Sequence, residues 1–213
     1  MDKTKRGILK TVLIVLALIA VVLTAFVYTM TSPRIMSVKE LVNNGAVTFE
    51  QPRPIDDFEL IAHTGETFSK ADFEGQWTLL FFGFAHCHGF CPATLAILDS
   101  TYGQLEEKIR EQTQVVMVTV DPSRDTPEAL ADYVPNFNSN FIGLSGEFLQ
   151  IKLLANQLYI PFQKPPNADE HYQVAHGENI VLINPQGQYH GYFNPPYTLA
   201  RLKATYQSIV LSN

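Results

Sequence analysis

The sequence is poor in cysteine, tryptophan and charge. Two cysteines, Cys87 and Cys91, and one tryptophan, Trp77, occur in 213 residues, and charged residues make up 17%. With 12 glycines, 13 prolines and no repeat or biased tract, the chain is neither collagen-like, nor disordered, nor a solenoid. At roughly 100–200 residues per domain, its length leaves room for one globular domain plus an appendage, which excludes a multidomain architecture. A surplus of cations is also missing. The formal net charge is −6, so the chain lacks the electrostatic footprint of a nucleic-acid binder, and that class is excluded.

What is present is 46% hydrophobic content, enough for an ordinary packed core, and an uneven spread of charge. Lys3, Lys5, Arg6 and Lys10 against Asp2 put +3 on the first ten residues, which leaves −9 on the rest of a chain of net charge −6. Residues 11–30 carry no charge. A helix of that length rises about 30 Å, the thickness of a bilayer core. Cleavable signal peptides have a shorter apolar run, ~7–15 residues, closed by small residues. Phe26, Tyr28 and Met30 make a poor cleavage site. Residues 1–10 therefore read as a cytoplasmic basic segment and 11–30 as an uncleaved single transmembrane helix. The positive-inside rule then exports the remainder. No Arg-rich, acid-poor transit peptide precedes the anchor, so the expected location is a bacterial inner membrane with the domain in the periplasm.

Pro33, Pro52, Arg53 and Pro54 mark 31–57 as a linker, leaving 58–213 as the globular domain. The continuous apolar run at 77–84 predicts a buried strand. It is followed by Ala85-His-Cys-His-Gly-Phe-Cys-Pro and a helix over 92–112, in which Leu95, Leu98, Tyr102, Leu105 and Ile109 share one face. A second buried strand is expected at 115–120. Thr126-Pro127-Glu128 supplies the N-cap, first-turn proline and acidic first turn of a helix reaching Tyr133. Strands at 141–144, 172–175, 180–183 and 189–193, with helices over 146–159 and 197–210, complete the pattern. Strands alternating with helices, then a late hairpin, predict an α/β domain with a mixed sheet flanked by helices, and the thioredoxin-like fold fits that order.

Cys87 and Cys91 stand at the junction between a buried strand and a helix N-terminus. Free N–H groups and the positive dipole there stabilise thiolate, which predicts thiol pKa values below the ~8.5 of free cysteine. A disulfide between them would be a weak staple, since closing a five-residue loop is worth about 2 kcal/mol against about 4.7 for a 100-residue loop. Two chemistries use the same thiols. One is thiol–disulfide exchange; the other is a soft-metal site, where two thiolates plus an imidazole favour copper and a closed zinc site would want four ligands.

Six histidines could supply that imidazole: His63, His86, His88, His171, His176 and His190. His63, before Thr64-Gly65, reads as a surface turn residue. His190, alternating with tyrosines, reads as solvent-facing. His86 and His88 flank Cys87 but point apart in an extended loop; either is a candidate outer donor or further ligand, as is His171. His176 closes the 172–175 strand ahead of Gly177, which frees the backbone to turn. By position alone it reads more readily as a structural or surface residue than as a ligand. Asp121, Arg124 and Asp125 read as turn and cap residues rather than catalytic groups. Tyr189, Tyr192, Phe193 and Tyr197 read as core and edge packing.

Taken together, Phe82-Gly-Phe-Ala-His-Cys-His-Gly-Phe-Cys-Pro, Val118-Thr-Val-Asp-Pro-Ser-Arg-Asp-Thr-Pro-Glu, Phe141-Ile-Gly-Leu-Ser-Gly, Tyr172-Gln-Val-Ala-His and Ile183-Asn-Pro-Gln-Gly resemble the Sco/SenC family in order and spacing. The resemblance runs from about Phe58 to the C-terminus and includes the single N-terminal anchor. It implies a membrane-tethered thioredoxin-like domain that binds copper, Cu(I) or Cu(II), through both cysteines of CxxxC and a distant histidine. Carried over, those ligands are Cys87, Cys91 and His176. The implied task is that of a metallochaperone rather than an enzyme, helping to assemble the CuA centre of cytochrome c oxidase. Its implied partners are the oxidase subunit bearing that centre and a periplasmic copper donor.

Two positions depart from the family pattern. Ala175 stands where an aspartate usually precedes the metal histidine, and His88 stands where a proline usually follows the first cysteine. Losing the acid removes a group able to orient the imidazole, while His88 could add a ligand. The alternative reading is a thiol–disulfide oxidoreductase that reduces the copper-ligand cysteines of the oxidase subunit, with Cys87 as the attacking thiol. CxxxC is one residue longer than the usual CxxC of such reductases, and 172–176 holds no proline, which favours the metal reading.

Overall fold

The structure, a computed structural model, describes residues 3–31, 34–166 and 172–213. The chain divides into an N-terminal unit and a compact domain that starts at Met36. The N-terminal unit is helix α1 (Lys3–Thr31). Its stretch Lys10–Thr29 is long and apolar enough to cross a membrane, and none of it is buried.

The domain runs through α2 (Val38–Asn43), β1 (Ala46–Pro54), β2 (Glu59–Ala62), β3 (Thr67–Ser69), β4 (Trp77–Gly83), α3 (Phe90–Gly103), α4 (Glu107–Arg110), β5 (Thr113–Thr119), α5 (Pro127–Tyr133), β6 (Ile142–Ser145), α6 (Phe148–Gln157), β7 (Phe162–Gln163), β8 (Ala175–His176), β9 (Ile180–Ile183), β10 (Gln188–Phe193) and α7 (Leu199–Ser212). Eight strands form one sheet in the order β1-β10-β9-β4-β5-β6-β2-β3, and β7 and β8 form a separate two-stranded ribbon. β4, β5 and β6 are parallel neighbours, and the other pairs are antiparallel. This is the mixed, helix-flanked, thioredoxin-like sheet that the element order predicted. Every residue of β4 is buried, as expected of a central strand covered on both faces.

Thr126 caps α5 through its side chain, with Pro127 in the first turn, as the sequence pattern indicates. The helix expected over 92–112 begins earlier, at Phe90, so Cys91 lies inside its first turn. It also breaks after Gly103, and α4 is a separate turn of helix.

The expected linker 31–57 is corrected by the structure over most of its length. Ser37 and Glu40 form a capping box that starts α2. The Met36 N–H donates to Ser208 Oγ of α7 at 2.7 Å. β1 then pairs with β10, matching Ala46 with Phe193 and Thr48 with Gly191. Pro52 and Pro54, which suggested a tether, instead suit an edge strand, where one side of the backbone needs no ladder partner, and Pro33 lies outside the described residues.

His190 is a second correction. The alternation of tyrosines placed it toward solvent, but the β10–β9 register shifts between Tyr189 and Gly191, and this bulge turns His190 inward. It is 7% exposed, and its ring stands edge-on to Trp77 at 5.1 Å. Its Nδ1 has no hydrogen-bond partner.

Two outcomes follow from this packing. A β-carbon on Gly191 would run into the Val47 carbonyl oxygen and come within 3.0 Å of Thr48 Cα. Gly191→Ala should therefore part β1 from β10 and cost about 2–3 kcal/mol, a fall in Tm of roughly 5–10 °C by thermal melting. Burial also holds the His190 imidazole below its ordinary value. As pH falls below about 6.5 the unfolded chain takes up this proton first, so stability is lost on acidification through that window. The His190→Phe variant should lose less Tm than the wild type between pH 7 and pH 5.5.

Candidate metal centre

β4 ends at Gly83 on the edge of the core, and the chain turns through Phe84–Gly89 into α3. A β-carbon at Gly83 would lie 3.3 Å from Cys91 Sγ and collide with the Phe81 ring, so the missing side chain is what lets the cysteine pack against the strand. Cys91 is completely buried and Cys87 is half-buried; both are free thiols. Gly89, the N-cap of α3, offers no side chain, and the Cys91 N–H points instead at Cys87 Sγ, 3.4 Å away. One of the helix's unpaired donors is thereby met by sulfur.

The expectation of a depressed thiol pKa fails at Cys91. Burial pushes it well above its ordinary value, and a hydrogen bond with Cys87 pushes in the same direction, against a backbone hydrogen bond at Phe84 that lowers it. Cys91 is therefore a neutral thiol. Facing it is His176 on β8, whose Nε2 stands 3.7 Å from Cys91 Sγ across 85 positions of sequence. The ribbon that carries His176 pairs it with Phe162, so the expected strand 172–175 forms only at its last residue.

Burial lowers the His176 pKa, opposed by its bond to Gly177 and by Glu178, so the imidazole is neutral. Its Nδ1 lies 3.0 Å from the Gly177 carbonyl, which can only accept. Nδ1 therefore carries the proton and Nε2 presents a lone pair to Cys91. The rings of Phe81, Phe84 and Phe90 surround the imidazole at 6.0–6.4 Å. Beside it runs an open groove of about 330 Å³ lined by Pro161, Phe162, Gln163, Ala175, His176 and Gly177.

This donor set fits a soft metal. With metal–sulfur and metal–nitrogen bonds of ~2.3 and ~2.0 Å, as at zinc, two ligands at tetrahedral to trigonal angles stand roughly 3.5–3.8 Å apart. The 3.7 Å between Cys91 Sγ and His176 Nε2 is that distance. Among the described residues no three His, Cys, Asp or Glu groups already form a cage that would hold a metal ion.

The other histidines lie elsewhere or act otherwise. His86 is exposed, with Nδ1 3.4 Å from Asp125 Oδ1. His88 is exposed, with Nδ1 3.1 Å from Gln173 Nε2. His63 is half-buried rather than a free surface residue, and its Nδ1 accepts from the Gly143 N–H at 3.0 Å. His171 lies outside the described residues.

Asp125 and Asp121, both buried, brace the site. Asp125 accepts from the Ala85 N–H and the Thr119 hydroxyl at 2.9 and 2.7 Å, pinning the loop that carries Cys87. Asp121 accepts from Ser123, Tyr172 and Arg124. Burial opposes its ionisation, yet these three hydrogen bonds together hold its carboxyl below the ordinary range. Arg124 also donates to the Tyr172 carbonyl at 3.0 Å and stacks on its ring at 3.6 Å. Gln173 reaches the His86 carbonyl at 3.2 Å. Gln173 thus tethers the segment leading to His176 to the cysteine loop, and Tyr172 ties the same segment to the loop after β5. Sequence reasoning missed both, because their partners lie about 50 and 85 positions away.

Three comparisons place this geometry among known proteins. The SCO1/SenC family model matches residues 48–211. A Stutzerimonas stutzeri protein, named as a candidate copper-binding protein, is 36% identical over 158 residues, 74% of this chain and 78% of that one. Protein SCO2 homolog, mitochondrial, of Homo sapiens is 40% identical over 139 residues, 64% of this chain and 52% of the relative, so the chain spans about half that protein's length. The crystal structure of Arabidopsis thaliana ScoI with copper bound matches at a TM-score of 0.68 and 28% identity, covering 73% of this chain and 98% of that one. The family match extends over the sheet, the cysteine loop and the histidine ribbon, and the chain belongs to the SCO1/SenC family.

Proposed function

We propose that the chain is a membrane-anchored copper-binding metallochaperone that helps assemble the CuA centre of cytochrome c oxidase, with Cys87, Cys91 and His176 as ligands. The observation that carries this reading is the 3.7 Å approach of Cys91 Sγ to His176 Nε2, two neutral donors sharing one proton. An arriving metal replaces that proton: Cys91 becomes a thiolate, the imidazole keeps its Nδ1 proton, and Cys87 turns in from its half-exposed position to complete the set. Cu(I) is satisfied by two thiolates, while Cu(II) gains from the imidazole. The Gly177 carbonyl does the orienting work that an acid at the Ala175 position would otherwise do. The basic N-terminal end lies in the cytoplasm, α1 spans the inner membrane, and the domain meets the oxidase subunit in the periplasm.

A second reading, thiol–disulfide exchange, is favoured by one observation: Cys87 is the accessible thiol and Cys91 the buried one. Cys87 would attack the disulfide of the oxidase subunit and form a mixed disulfide. Cys91 would then attack Cys87 Sγ and hand its proton to the departing thiolate of the subunit, leaving a Cys87–Cys91 disulfide and a reduced target.

The test is an anaerobic titration of the reduced full chain in detergent micelles with Cu(I) and with Cu(II). One-to-one binding with thiolate-to-Cu(II) absorption is expected. His176→Ala should weaken Cu(II) binding at least about tenfold and alter that absorption while leaving dithiol exchange largely intact. Cys91→Ser should abolish both activities. Unchanged Cu(II) spectra in His176→Ala would remove the third ligand, and weak copper binding by a chain that reduces a CuA-domain disulfide would put exchange first.

A further inference from the structure

A separate cavity of about 390 Å³ lies where the end of α6 meets β1 and β10, and none of the proposed metal ligands lines it. Its size falls in the range of small-molecule sites. Phe49 and Arg53 come from β1, Tyr189 and Tyr192 from β10, and Tyr159 from the turn after α6. Phe49 packs edge-on against Tyr189 at 4.9 Å, and Arg53 stands opposite Tyr189 in the strand register.

Arg53 is the one charged residue lining this cavity. Its Cζ lies 4.4 Å from the centre of the Phe49 ring and 5.0 Å from that of Tyr159. Among the described residues the guanidinium makes no ion pair and donates no hydrogen bond, in a chain of net charge −6. Its five N–H donors form a planar fork that matches the two oxygens of a carboxylate. Asn179 donates to Asn194 Oδ1 at 2.8 Å, so the Asn194 carboxamide N–H groups are further donors on the same wall. Burial pushes the Tyr189 phenol up to about 12 against the opposing charge of Arg53, and its hydroxyl stays protonated.

Tyr159 adds an independent sign. The Ile160 N–H reaches the Ala155 carbonyl at 2.9 Å and the Tyr159 N–H reaches the Asn156 carbonyl at 3.2 Å, the two bonds that close a helix through a left-handed residue. Glycine usually holds that position, yet here a tyrosine occupies it with φ at 57°. Glycine would relieve the backbone; what the tyrosine supplies in exchange is the ring beside Arg53.

We propose that this cavity binds a small aromatic carboxylate, whose acid group pairs with the Arg53 fork while its flat body lies among the phenylalanine and tyrosine rings. A charge-assisted, two-pronged pair gives such a ligand its orientation, and the ring contacts add area. The site is distinct from the metal centre and stands without the copper reading.

Benzoate titrated into the full chain in detergent micelles, followed by residue-resolved NMR, tests this. The Arg53 Nε–H, the Asn194 carboxamide and the Tyr159 amide should shift together and saturate, with a Kd of about 1 mM or below. Benzamide has the same shape without the charge, and inorganic phosphate has charge without a ring; each should bind at least about tenfold more weakly. Arg53→Gln should weaken benzoate binding at least about tenfold, and Tyr159→Gly about three- to tenfold. Absence of saturable shifts at these residues, benzamide or phosphate binding as tightly as benzoate, or unchanged benzoate binding in Arg53→Gln each overturns the proposal. The first two comparisons use the wild-type chain alone, so they decide the matter even where a variant fails to fold.

Discussion

The centre depends on one contact, Cys91 Sγ against His176 Nε2, made by two groups that burial has stripped of charge. Desolvation raises the thiol and lowers the imidazole, so a proton that would otherwise separate the pair into thiolate and imidazolium stays on sulfur. Two charges in that apolar shell of Phe81, Phe84 and Phe90 would need strong compensation. On the proposed ligand assignment a cation would supply it by taking the proton's place. The same burial that makes Cys91 a poor nucleophile in the free protein suits the metal-ligand role proposed for it.

Much of the domain can be understood as holding those two atoms together. β4 carries the cysteine loop to the edge of the core, and Gly83 opens space for Cys91. β7 and β8 bring His176 across from the far side of the chain. Between them, the carboxylates of Asp125 and Asp121 fasten the loop at Ala85 and, at Tyr172, the segment that leads into β8. These acids, with Arg124, brace the segments around the centre without touching its donors, a long-range role beyond the turn and cap positions read from the sequence.

Elements whose signal is local were legible in the sequence. β4 is marked by a continuous apolar run, α5 by Thr126 and Pro127, and α1 by its uncharged stretch; each needs no knowledge of distant residues. The misread elements were decided elsewhere. β1 looked like a tether because its prolines are locally disruptive, and only its pairing with β10 shows them to be edge residues. His190 was misplaced because a single bulge inverts the alternation on which a period-2 argument rests. The Cys91 thiol was expected low because the helix terminus is visible in sequence, whereas the desolvation that outweighs it comes from core packing.

The sequence by itself determined the chemistry available: two thiols at CxxxC spacing on a strand–helix junction, six imidazoles, an apolar anchor and a family pattern that singles out His176. These are properties of residue type and near neighbours, which covalent order fixes. Only the tertiary structure decided which imidazole meets which sulfur, in what tautomer and with what charge. It seats Cys91 under the aromatic shell, turns His176 Nε2 toward it with the Gly177 carbonyl on the other nitrogen, and sends His86 and His88 to Asp125 and Gln173 instead. Distance and desolvation set those outcomes, and both arise from contacts between segments far apart in the chain.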